Sequence, residues 1–155
     1  MDNEMLANRY LLNGDPKRAI ALYREAIESK PDVEAARCRL AVAYLQDGRF
    51  DEAADQLYSI LEDRGEATPD CVASRCRGFV KSTELAAAGD IGDGLCRLVN
   101  GEIEDARRLL AGSDLTRYPS VTKLLSRLAE LTLSGRSAAA TASSSATDFD
   151  SSENR

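Results

Sequence analysis

An all-α fold of stacked antiparallel helical hairpins, about three to four units followed by a disordered C-terminal tail, is what this sequence predicts. Three observations carry that reading. The run YLLNGDPKRAIALYREAI (Tyr10 to Ile27) is nearly rewritten 34 residues later as YLQDGRFDEAADQLYSIL (Tyr44 to Leu61). Aromatic residues make up only 5% and Trp is absent, while Ala, Leu and Arg abound, which suits helices better than a β-sandwich. From Ser134 onward the composition turns to Ser, Ala and Thr with a single aromatic, too little apolar surface to form a core. The domain boundary is therefore drawn between a helical repeat domain, 1–133, and an acidic Ser/Ala-rich tail, 134–155.

The first two units align position by position. Leu6, Ala7, Tyr10, Gly14, Ala19, Tyr23, Ala26 and Pro31 mark one; Leu40, Ala41, Tyr44, Gly48, Ala53, Leu57, Ile60 and Gly65 stand at the same offsets in the next. Apolar residues three and four apart precede each of Gly14 and Gly48, the spacing of an amphipathic helix. Gly allows the chain to reverse, and the alanine five residues later lets the second helix lie close to the first. A hairpin of this kind cannot bury its own apolar stripe and has to stack on a neighbour.

Arg64 to Asp70 reads as a loop, with Pro69 and Asp70 opening the next helix. The stripe Val72, Cys76, Phe79, Val80, Thr83 and Ala87 extends that helix to AAAGDIGDG, where a turn at Gly89 is expected. The spacing from Gly48 to Gly89 is 41, one period and a seven-residue insertion. NGEIEDARRLL repeats the turn signature at Gly101 and Ala106, only 12 residues further on. Two parses stay open: a third unit turning at Gly89, or one turning at Gly101 with the helix before it an insertion. A last amphipathic helix begins at Pro119, its stripe Val121, Leu124, Leu125, Leu128 and Leu131 lying opposite Lys123, Arg127 and Glu130. Such a helix caps an array.

Charge and composition exclude several classes of function. A net charge of −6 leaves no cationic face for nucleic acid. No apolar run reaches the roughly 20 residues of a membrane span, and the acidic, amphipathic MDNEMLANRY is unlike a signal peptide, so the cytoplasm is the expected location. His is absent, no glycine loop follows a strand to cradle phosphate, and no Ser or Cys nucleophile has a base partner. GDIGDG is read as a turn. Catalysis is not expected, and neither is a cofactor or a bound metal. Cys38, Cys71, Cys76 and Cys96 contain no CxxC pair and are expected to act as small buried apolar side chains.

The eight aligned positions and the 34-residue period resemble the tetratricopeptide repeat over roughly residues 1–64. Two departures stand out. Asn3 and Arg37 replace the usual early aromatic, and Gly65 replaces the closing proline that Pro31 keeps. The resemblance implies a right-handed superhelix whose concave face, lined by the first helix of each unit, holds a peptide or helix of a partner protein. Carried onto this chain, the groove offsets give Glu4, Asn8, Leu11 and Leu12, then Ala35, Cys38, Val42, Leu45 and Gln46, then Cys76, Phe79 and Thr83. The carboxylate clamp of chaperone-binding relatives is not expected. Of its residues only Asn8 fits; Glu4 stands where Lys is needed and Val42 where Asn is needed.

The function expected is non-catalytic: an adaptor or assembly scaffold reading an apolar peptide segment, with Val42→Asp expected to block the groove. The alternative is a small cytoplasmic chaperone holding a client's apolar segment, similar in architecture to the tetratricopeptide chaperones of type III secretion. No nucleic acid or membrane partner is expected, and apolar grooves with cap helices leave a homodimer open. In the tail, ATDFDSSE is either part of a solubilising stretch or a short acidic docking motif centred on Phe149, with Ser145 and Thr147 open to phosphorylation.

Overall fold

The computed structural model describes residues 2–30, 34–63, 67–81, 85 and 87–133. The tail expected over 134–155 lies outside the described residues, as do Pro31, Gly65 and Thr83. Everything regular within them is helical: α1 (Asn3–Leu12), α2 (Pro16–Ser29), α3 (Glu34–Gln46), α4 (Phe50–Glu62), α5 (Cys71–Cys76), α6 (Gly89–Val99), α7 (Ile103–Ala111) and α8 (119–133). The chief packed pairs are α1 with α2, α3 with α4, and α6 with α7, and α2 against α3 joins the first two.

The three hairpins share one turn. The amide of Gly14 donates to Leu11 O at 3.2 Å and that of Asp15 to Tyr10 O at 2.8 Å; Gly48 to Leu45 O (3.2 Å) and Arg49 to Tyr44 O (2.8 Å) repeat this. Gly101 to Leu98 O (3.1 Å) and Glu102 to Arg97 O (2.9 Å) repeat it again. The glycines sit at φ +76°, +74° and +87°, a left-handed conformation that costs an L side chain roughly 1–2 kcal/mol. The third unit therefore turns at Gly101, the second of the two parses. Counting from the three glycines, Ala7, Ala41 and Gly94 coincide, as do Ala19, Ala53 and Ala106, and Tyr23, Leu57 and Leu110. All nine are buried. A Cβ on Gly94 would come within 2.9 Å of Leu110, so the third unit needs an even smaller residue where the others carry alanine.

Three expectations of the sequence reading are corrected. The long helix from Cys71 ends at Cys76. Gly78 weakens it, the amides of Phe79 and Val80 both turn back onto Cys76 O (2.9 and 3.0 Å), and Phe79 O accepts instead from Arg39 Nε of α3 at 3.1 Å. Gly89 does not close that helix but opens α6 at φ +84°. GDIGDG is not a turn either; it forms the first turns of α6, with Gly92 and Gly94 buried. A Cβ on Gly92 would stand 2.8 Å from Ala87 Cβ and 3.0 Å from the Phe50 ring of α4, so its absence lets α6 lie against both.

The cysteines divide into two kinds. Cys38 of α3 and Cys76 of α5 are joined in a disulfide, with Cα atoms 5.6 Å apart, which corrects the reading of all four as free apolar side chains. Cys71 and Cys96 are free and buried, as that reading expected. Folding closes a distance that the 38-residue sequence separation hides. Arg75 strengthens the same junction, pairing with Glu34 of α3 at 3.7 Å and donating to Ile60 O of α4. The segment inserted between the second and third hairpins is thus fastened across α3.

The last helix is the expected amphipathic element. Val121, Leu124 and Leu128 are fully buried, with Leu125 and Leu131 packed at their edge. Its N-terminus follows Tyr118, whose side chain cannot cap it, and Asp51 of α4 does so instead, accepting from Ser120 N at 2.7 Å and Val121 N at 3.2 Å. Lys123 lies over the Tyr58 ring at 4.1 Å and Arg127 pairs with Glu62, so α8 follows α4. Among the described residues no helix is long and apolar enough to cross a membrane.

Candidate functional site

The residues that the repeat pattern places on the concave face have divided fates. Cys38, Val42 and Leu45 are between 0 and 1% exposed, sealed in the core. Gln46, at the end of α3, is half-buried and does not line the cleft that the other four share. Those four, Asn8, Leu11 and Leu12 of α1 and Phe79 of the segment after α5, converge on a cleft of about 240 Å³. Leu12 is 68% exposed and Phe79 36%, so their apolar surface is open to an incoming chain.

Each wall has a local cause. Asp2 caps α1, its carboxylate accepting from Met5 N at 2.8 Å, and so fixes the helix whose outward turn presents Leu12. Asn8 is oriented by Tyr23 of α2, whose hydroxyl donates to Asn8 Oδ1 at 2.5 Å. That bond occupies the amide oxygen, the one feature the chain shares with a carboxylate clamp. The opposite wall is the strand of backbone from Arg77 to Lys81, carried into place by the disulfide at Cys76. Arg39 joins the walls: its guanidinium lies 6.0 Å from the Phe79 ring centroid while its Nε holds Phe79 O.

Pattern reasoning missed Arg39, Arg77, Val80 and Lys81, all of which line the cleft. Arg39 stands on α3 next to the buried Cys38, and its role could have been read only by knowing that the inserted segment crosses there. Among the described residues, Arg39, Arg77 and Lys81 line the cleft and no Asp or Glu does, in a chain whose net charge is −6. The cleft is apolar with a positive rim.

A larger cavity of about 530 Å³ lies among α2, α3, α4 and the start of α8, with opposite charge: Glu28, Asp51, Glu52 and Asp55 against Arg24. Two of its acids already have structural duties. Asp51 caps α8, and Glu52 accepts from Arg49 Nε at 2.8 Å. Burial pushes the Tyr44 hydroxyl there above its usual range, against the opposing pull of Arg24. Elsewhere, burial and then the Asp93 carboxylate raise the Cys96 thiol to about 11, which removes its nucleophilic form at neutral pH. Among the described residues no three His, Cys, Asp or Glu side chains gather as a metal-binding group.

Comparison with known proteins agrees with the geometry. The tetratricopeptide repeat family model matches residues 4–69, which span α1 to α4 and the start of the inserted segment. Neither the curated proteins nor the solved structures gave a match. Residues 4–69 are thus similar to the tetratricopeptide repeat, and the same hairpin turn recurs beyond them at Gly101.

Proposed function

We propose that this chain is a non-catalytic interaction module that binds a peptide segment or helix of another protein in the cleft between α1 and residues 77–81. Tetratricopeptide repeats generally mediate protein–protein interaction, and the repeats here occupy residues 4–69. The observation that carries the proposal is the cleft itself: Leu11, Leu12, Phe79 and Val80 form an apolar lining, and Arg39, Arg77 and Lys81 ring it. Such a surface suits a short segment with one large apolar anchor and acidic neighbours. The groove is narrower than the one the repeat pattern outlines, because the disulfide-fastened insertion fills the part over α3.

Val42→Asp is no test of this, since a charge at a position with 0% exposure would disturb the core. Leu12→Glu is a proper one. Leu12 is 68% exposed, so folding survives the change, while the apolar contact is replaced by an acid facing the partner. Affinity capture with tagged chain, quantified by mass spectrometry, should recover a partner with wild type and lose it about tenfold with Leu12→Glu at unchanged helicity, equivalent to about 1.4 kcal/mol. Equal recovery by both would sink the assignment. A holding chaperone, the second reading, would in addition keep an aggregation-prone client soluble on co-expression. Recovery of the chain itself would point to a homodimer.

The sequence expectation is the cytoplasm, whereas a disulfide is a bond that oxidising compartments favour. Thiols stay reduced in the cytoplasm of most organisms, whereas the Cys38–Cys76 pair is oxidised.

A further inference from the structure

The sequence holds a segment complementary to the cleft. Between Ser134 and Arg155 the only large apolar side chain is Phe149, and Asp148, Asp150 and Glu153 surround it without a Lys or Arg between Thr147 and Asn154. We propose that the free protein fills its own cleft with this segment, Phe149 seated against Leu12 and Phe79 and the flanking aspartates facing Arg39, Arg77 and Lys81. The inference rests on the reading of the same cleft as the binding surface, and it makes the tail the competitor that a partner has to displace.

Charge selects the occupant. Among the described residues three cations and no acid line this cleft, whereas four acids and one cation line the larger cavity, which would repel the same segment. Reach is sufficient. Phe149 lies 16 residues beyond Leu133, the last described residue of α8. A segment of that length spans about 50 Å when fully extended. A folded domain of this size has a radius of gyration of only about 14 Å. Tethering supplies an effective concentration in the millimolar range, so a contact too weak to hold a free peptide still fills the cleft. Acidic anchors flanking one aromatic also exchange readily, which leaves the cleft accessible to a better-fitting partner.

A nitroxide label on Ser151→Cys in the full chain tests this by NMR. The new thiol is selectively labelled because Cys71 and Cys96 are buried and Cys38 and Cys76 are bonded. The expected result is loss of amide intensity at Leu11, Leu12 and Phe79 to Lys81. That loss should vanish with Phe149→Ala and with the pair Arg77→Glu and Lys81→Glu, whose positions are exposed. Uniform broadening, no broadening, or broadening that survives Phe149→Ala overturns the inference. Broadening seen only between labelled and unlabelled molecules in a mixture overturns it too, since the occupant would then be a second copy. If the tail proves free while Leu12→Glu still abolishes partner capture, the tail inference alone fails. If Leu12→Glu changes nothing and the tail docks, the partner reading fails instead.

Discussion

Cys96 shows what a single buried residue does to the behaviour of the molecule. Its thiol stays protonated up to about pH 11 in the fold, against an ordinary value of 9.0, because burial and then Asp93 disfavour the thiolate. Between these values the unfolded chain releases the proton and the folded one keeps it, so folding loses stability as pH rises from about 9 to about 11. Urea denaturation across that range should fall more steeply for wild type than for Cys96→Ala. Parallel curves would show that the thiol is not held as described. At the same scale the sequence was legible where a residue's job is local. Gly14, Gly48, Ala19 and Ala53 reveal the hairpins because turn conformation and close helix approach restrict residue type at the position itself. Leu12 and Asn8 could be placed beside an opening for the same reason, by their offset from Gly14. The same offsets place Val42 and Leu45 on the groove, yet both are buried, because period and offset do not encode burial by tertiary packing.

Among the elements, α5 is the one that pattern misjudged. Val72, Cys76, Phe79 and Val80 keep helical period, yet Phe79 O is captured by Arg39 and Cys76 is bonded to Cys38, both across a tertiary contact that period does not encode. The cysteine pair was invisible for a related reason: a separation of 38 residues carries no signature until two helices bring the sulfurs together. The disulfide is consequently a major tie on this element. Closing a loop of 38 residues restricts the unfolded chain by about 4 kcal/mol in the chain-entropy limit. Replacing both Cys38 and Cys76 by Ser should lower the unfolding free energy by about 2–4 kcal/mol, read from urea curves. Four titratable thiols in the unreduced, denatured protein would contradict the pairing. The third hairpin was half legible: Gly94, Ala106 and Leu110 keep register with Gly101, but Arg97 stands where the first two units have Tyr10 and Tyr44. Arg97 answers that loss with ion pairs to Asp93 at 3.3 Å and to Glu102 and Asp105 at 3.5 Å, on an exposed surface where each contributes little.

As a whole molecule the chain is an array of hairpins interrupted once, and the interruption borders the cleft proposed as its binding surface. The first two hairpins stack side by side, the inserted segment is fastened across α3 at Cys38 and Arg39, and the remaining opening lies between α1 and residues 77–81. The insertion that is bonded to Cys38 supplies Phe79, Val80 and two of the three cations. Charge is thereby sorted within an acidic protein, with a positive rim at this cleft and acids at the larger cavity. The most direct measurement is photo-crosslinking of the full chain with a benzophenone amino acid in place of Phe79, compared with the same group in place of Leu133, which is exposed and does not line the cleft. The account predicts a discrete covalent product with a partner protein from position 79 and none from position 133. Products of equal yield from both positions, or a product from 133 alone, would contradict it.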